Sequence, residues 1–129
     1  MNTYIGTIIE ESLTDLDVLK LVKIISTKVE LVVEKHQTLW LKQWTLHKVE
    51  IPVNKSQEIA ELLSDAIDTT HTAWYADYKN DSHHYIIFPD KVFFIDRFSR
   101  EQYDVASRYG IALGIPDYQV NFSIHVRKG

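Results

Sequence analysis

The chain has 129 residues, 45% of them apolar, with 14 Lys and Arg against 18 Asp and Glu for a formal charge of −4. That length supports one hydrophobic core, and the balanced composition excludes disordered, collagen-like and low-complexity classes. The sequence has no cysteine and no basic run, which argues against a disulfide framework, thiolate zinc, a Cys nucleophile and phosphate-driven nucleic-acid binding.

Tyr4 to Glu10 is rich in β-branched residues and reads as a first strand. Ser12 and Thr14 are suited to cap a helix of about two turns with Leu16, Leu19 and Val22 as its apolar stripe. From Ile24 the period is two, with Ile25, Thr27, Val29, Leu31 and Val33 alternating against polar neighbours, which predicts a strand. Glu34 to Thr38 can turn the chain. Leu39 to Val53 then alternates again but switches its apolar face midway, so a bulge near Gln43 is expected. Trp40, Leu41, Trp44 and Leu46 make both faces of this stretch apolar, a reason to expect a second copy against the sheet.

Asn54 or Ser56 should cap the next helix, whose Ile59, Leu62, Leu63, Ala66 and Ile67 follow the amphipathic template. Three short strands are predicted over 73–78, 83–88 and 92–96, separated by Lys79-Asn80-Asp81-Ser82 and Pro89-Asp90-Lys91. Ser99, with Gln102 three residues on, opens a last helix with the stripe Val105, Ala106, Tyr109, Ala112 and Leu113. Gly114 is placed for a left-handed C-cap and Pro116 forbids continuation. Gln119 to Val126 is a terminal strand or an ordered tail. The order predicts a single α+β domain over 1–129. A ferredoxin-like βαββαβ antiparallel sheet occupies residues 1–78, and an added β-hairpin and C-terminal helix occupy 79–129.

No catalytic, metal or phosphate motif is present as a pattern, and no cofactor is expected. His83 and His84 point to opposite faces of a strand and cannot hold one ion together, while His36, His47, His71 and His125 are isolated. Among Trp74, Tyr75, Tyr78, Tyr85, Phe88, Phe93 and Phe94, paired strands could gather an aromatic wall. Trp74, Tyr75, Asp77, His83 and Tyr85 are therefore the candidate ligand-binding residues. Arg97 and Arg100 flank Ser99 at a helix N-terminus and are the candidate anion site. Met1 to Gly6 lacks the features of a signal peptide, and charge interrupts every apolar stretch before the roughly 18 residues that a span requires. A cytoplasmic protein without a membrane or nucleic-acid partner is expected.

Four segments together resemble a family of small uncharacterised prokaryotic proteins. They are Trp44 to Pro52 leading into a helix, Trp74-Tyr75-Ala76-Asp77-Tyr78, Lys91-Val92-Phe93-Phe94-Ile95-Asp96, and Tyr109-Gly110 through Leu113-Gly114-Ile115-Pro116 with Gln119 and Phe122. Asn121 stands where that family's ending has Asp, and Ser123 to Gly129 extend past its usual end. The resemblance implies a defined structure for Tyr109 to Phe122 and no activity. The expected function is a binding or oligomerisation domain, either a homodimer or one that holds a small molecule or protein. The alternative is a small dimeric enzyme using Asp77, His83, His84 and Tyr85 as acid/base groups, which requires a pair such as Asp77 and His83 to meet in a cleft.

Overall fold

The computed structural model describes residues 3–31, 43–69, 74–115 and 120. Strand β1 (Thr3–Ile9) leads through two 3-10 turns, Glu10–Ser12 and Leu16–Leu21, into β2 (Lys23–Leu31). β3 (Gln43–Pro52) and helix α1 (Val53–Ala66) follow. The meander β4 (Ala76–Lys79), β5 (His83–Phe88) and β6 (Lys91–Asp96) then leads to helix α2 (Arg100–Ala112). All six strands form one sheet in the order β2-β3-β1-β4-β5-β6, with every neighbouring pair antiparallel. The protein is thus α+β, with the expected hairpin added to the edge of the same sheet.

Pairing fixes the two faces. Tyr4 opposes Ile51, Gly6 opposes both Val49 and Tyr78, and Tyr78 opposes Tyr85, so these residues share one face. Helix α1 lies on it, burying Ile59, Ala60 and Leu63 against Tyr4, Ile8, Val49, Ile51, Tyr78 and Ile87. On the reverse face α2 covers β5 and β6, where Ile86, Phe88 and Ile95 enclose Tyr103 and Ala106 together with Ile115 and Val120. Gly6 is required by the pairing itself. A Cβ there would stand 1.9 Å from the Asp77 carbonyl oxygen and 2.5 Å from Tyr78 Cα.

Several expectations are corrected. The helix foreseen after β1 is a 3-10 segment capped by Asp15, whose carboxylate accepts from the Asp17 N–H at 2.9 Å. Thr14 donates instead to the Ala66 carbonyl from both its N–H (2.7 Å) and its hydroxyl (2.9 Å). This contact satisfies the end of α1, where no glycine is present to cap it. Leu16 is exposed, and Val18 enters the core in its place. Helix α1 begins at Val53, directly after Pro52, so Asn54 and Ser56 lie inside its first turn. Among the described residues no bulge stands near Gln43: β3 pairs regularly from there to Lys48, and the irregularity lies on the other strand, between Ile24 and Ser26 of β2, opposite Val49 and Lys48. In α2 the buried stripe is Tyr103, Ala106 and Gly110, leaving Val105 and Leu113 exposed.

Both caps of α2 form as read. Ser99 accepts from the Gln102 N–H, and Gly114 takes φ +101°. The Gly114 and Ile115 N–H groups close a Schellman motif on the carbonyls of Ile111 and Gly110. Gln102 differs from a capping box in one respect: its side-chain oxygen accepts from the Asp96 N–H at 2.7 Å rather than from Ser99. The readings of Glu34 to Thr38, of Trp40 and Leu41, of Pro116, and of Gln119 to Val126 apart from Val120 lie outside the described residues, as do His36, His71 and His125.

Candidate functional site

The pairing of β4 with β5 sets Lys79 opposite His84 and Asp77 opposite Ile86. Asp77 and His84 therefore share the face covered by α2. The Asp77 carboxylate lies 2.7 Å from His84 Nε2, and His84 Nδ1 lies 3.0 Å from the Tyr103 hydroxyl on α2. His84 is buried, whereas the Asp77 side chain keeps 29% of its surface exposed. Burial holds the Tyr103 hydroxyl above the usual tyrosine range. Arg97, which hydrogen-bonds it and is cationic, partly offsets that shift. The Tyr75 phenol is raised further, first by burial and then by the nearby Asp77 charge.

The candidate ligand residues divide between faces. Tyr75 and Asp77 lie on the α2 side, Tyr75 packing on Phe88 with ring centroids 5.9 Å apart. Trp74 is buried in the α1-side core against Trp44. Tyr85 is buried among Tyr4, Tyr78 and Phe94, and accepts from Ser56 Oγ. His83 stacks on Phe94 at 4.5 Å, on the opposite face from Asp77. The carboxylate thus meets His84, and His83 does not approach it.

The sequence contains the signal for this pairing. A hairpin loop of four residues between Lys79 and His84 sets odd positions opposite even ones, so Asp77 can share a face only with His84. Asn80 secures that loop through its side-chain oxygen, which accepts from the Ser82 and His83 N–H groups. Arg97 reinforces it, its Nη1 donating to the Asn80 carbonyl at 2.7 Å and its N–H to the Ser82 carbonyl. The guanidinium therefore ties this loop to the start of α2, and Arg100 is exposed at the helix's first position. Between the loop and β1, Thr3, Ile5, Lys79 and Arg97 border an open groove of ≈ 530 Å³.

A second feature lies at the far edge of the sheet. β2 has nine residues and only Glu30 among them is even partly covered. Ile24 is 42% exposed, Ile25 46%, Val29 53% and Leu31 77%. The alternation that predicted the strand therefore does not face the core. On its inner side β2 pairs with β3, where His47 bridges Thr27 and Glu10 at 2.9 Å each. Beyond the end of β1, Glu11 accepts from the Thr45 N–H and hydroxyl. The polar groups on the β3 side are thus satisfied, while among the described residues no strand pairs with the outer edge of β2.

Among the described residues no three His, Asp or Glu side chains are grouped to hold a metal ion, and no helix is long and apolar enough to cross a membrane. The chain matches no family model, no curated protein and no solved structure.

Proposed function

We infer that this protein is a non-catalytic binding domain that recognises an extended polypeptide strand along the edge of β2. The observation that carries this reading is the exposure of a long edge strand with Ile24, Ile25, Val29 and Leu31 all more than 40% accessible. An exposed sheet edge of this length and apolarity templates pairing with another strand. Strand addition supplies backbone hydrogen bonds for affinity and alternate side chains for selectivity. A cysteine-free chain suits a reducing, cytosolic setting for such a module.

Relationship to the small prokaryotic family with the Trp-Tyr strand and Leu-Gly-Ile-Pro ending is part of this proposal and brings no activity with it. A ferredoxin-like arrangement of residues 1–78 is part of it too, supported by the strand sequence β2-β3-β1-β4 and the α1 crossover from β3 to β4.

The acid/base alternative draws support from the 2.7 Å contact of Asp77 with His84. Both ring nitrogens of His84 are engaged within the fold, and the ring is buried under α2. A general base needs a nitrogen that reaches substrate. The arrangement is better suited to tying α2 to the sheet.

The test is selection of a phage-displayed library of eight-residue peptides on the immobilised full chain. Peptides with alternating β-branched residues should be enriched and should lose binding to a chain carrying Val29→Lys and Leu31→Lys. Enrichment of no such class, or equal binding to the double variant, would overturn the reading.

A further inference from the structure

The charges of β2 select one strand among those an open edge could accept. We propose that its occupant is a second copy of this chain, paired β2 to β2 antiparallel about a twofold axis at Val29. The proposal rests on the edge-strand reading above and names the partner.

The irregularity between Ile24 and Ser26 limits the regular part of β2 to Ser26–Leu31. Within it Ser26, Lys28 and Glu30 lie on one face, opposite Lys48, Leu46 and Trp44 of β3. Thr27, Val29 and Leu31 lie on the other, opposite His47, Thr45 and Gln43. Residues directly opposite in an antiparallel pair point to the same side. A twofold axis perpendicular to the sheet must therefore pass through a residue, since an axis between two residues would oppose side chains from different faces.

Four centres keep a ladder within this stretch, and three are poor. An axis at Lys28 sets that ammonium opposite its own copy, and an axis at Glu30 does the same with two carboxylates; like charges directly opposite are destabilising. An axis at Thr27 leaves Lys28 opposite Ser26 and drives the ladder into the irregularity at Ile24.

The axis at Val29 sets Lys28 opposite Glu30 of the second copy and Glu30 opposite its Lys28, satisfying both charges at once. On the other side of the strand Val29 meets Val29, and Thr27 meets Leu31. The two most exposed apolar residues of the strand, Leu31 and Val29, each gain a partner across the seam. Within one chain Lys28 Nζ already lies 3.3 Å from Glu30 Oε2, so the two side chains lean together on this face. Pairing closes them into a ring of four alternating charges. Because such an interface is isologous, each substitution acts on it twice.

The experiment is sedimentation equilibrium of the full chain and of Lys28→Glu, Glu30→Lys and the combined exchange. The wild type should approach twice the 15.1 kDa chain mass. Each single reversal should weaken the dimer about tenfold or more by replacing two attractive pairs with two repulsive ones, and the combined exchange should restore it. A dimer whose strength none of the reversals changes overturns this register. A 15.1 kDa species at every concentration overturns the second copy. The edge-strand reading itself falls on the displayed-peptide selection, not on the mass.

Discussion

Asp77 and His84 share one face of the sheet with their polar atoms 2.7 Å apart, and His84 carries the connection onward to the Tyr103 hydroxyl at 3.0 Å. Three elements, β4, β5 and α2, are joined by two hydrogen bonds around one buried imidazole. Removing His84 takes one hydrogen-bond partner from the Tyr103 hydroxyl, which keeps Arg97, and one from the partly exposed Asp77 carboxylate, and it empties the space the ring fills under α2. His84→Ala should destabilise the fold by about 2–4 kcal/mol in urea titrations, through lost packing as well as lost hydrogen bonds. Tyr103→Phe, which leaves the ring in place, should cost roughly 1 kcal/mol and couple to Asp77→Asn in a double-mutant cycle. Additive effects of the two changes would mean that the three groups do not act together.

Gly6 and Gly114 should respond differently to alanine. At Gly6 the methyl would overlap the backbone of the neighbouring strand, 1.9 Å from the Asp77 oxygen, and no rotamer can relieve it. We expect Gly6→Ala to cost at least about 3 kcal/mol or to prevent folding. At Gly114 nothing lies within 4 Å, and only the φ of +101° opposes a side chain, so Gly114→Ala should cost about 1 kcal/mol. Thermal melts of the two variants at neutral pH check both magnitudes.

Asp90 is the one residue other than glycine that takes positive φ among the described residues, at 59°, in the two-residue link between β5 and β6. With Pro89 before it, this is the pattern of a type II turn, whose third position favours glycine. The turn is held from α1, because Ser64 Oγ donates to the Phe88 carbonyl and accepts from the Lys91 N–H. Asp90→Gly should therefore raise the melting temperature slightly, by roughly 0.5 kcal/mol of stability. Ser64→Ala, which removes both bonds, should lower stability by about 1–2 kcal/mol. An Asp90→Gly variant less stable than wild type would show that the carboxylate has a favourable role.

Tyr75 and Tyr78 are held protonated well above the ordinary value of 10.0, chiefly by burial. Their folded values are raised, so below pH 10 they cost the fold nothing. Above it the unfolded chain releases protons that the folded chain retains. Stability should fall with rising pH from about 10 upward, at roughly 1 kcal/mol per pH unit for each phenol. Tyrosinate absorbance should appear together with loss of the circular dichroism signal. Ionisation of all seven tyrosines before any unfolding would contradict the burial of these two.

Helix α1 and the caps of α2 were readable because each rests on local chemistry: an apolar period, a hydroxyl three residues from a free N–H, a glycine at a left-handed position. The segment after β1 was misread because Ser12 and Thr14 have the chemistry of caps. Ser12 instead donates back to the Ile9 carbonyl three residues earlier, and Thr14 is taken by a tertiary contact with Ala66, far along the chain. The alternation in β2 identified the strand but not its place in the sheet, since period-two apolarity looks the same on a central strand and on an exposed edge. The sequence reading set Asp77 with His83; the parity of the β4–β5 loop is the signal that pairs it with His84 instead, whereas their link to Tyr103 depends on how α2 folds back over the sheet, which no local pattern encodes.

The most direct measurement of whether β2 accepts a second copy is amide hydrogen exchange of the full chain at low and at high protein concentration. The account predicts slower exchange at high concentration confined to Ser26–Leu31, with β4, β5 and β6 unchanged. Exchange in Ser26–Leu31 that is equally fast at both concentrations would contradict it.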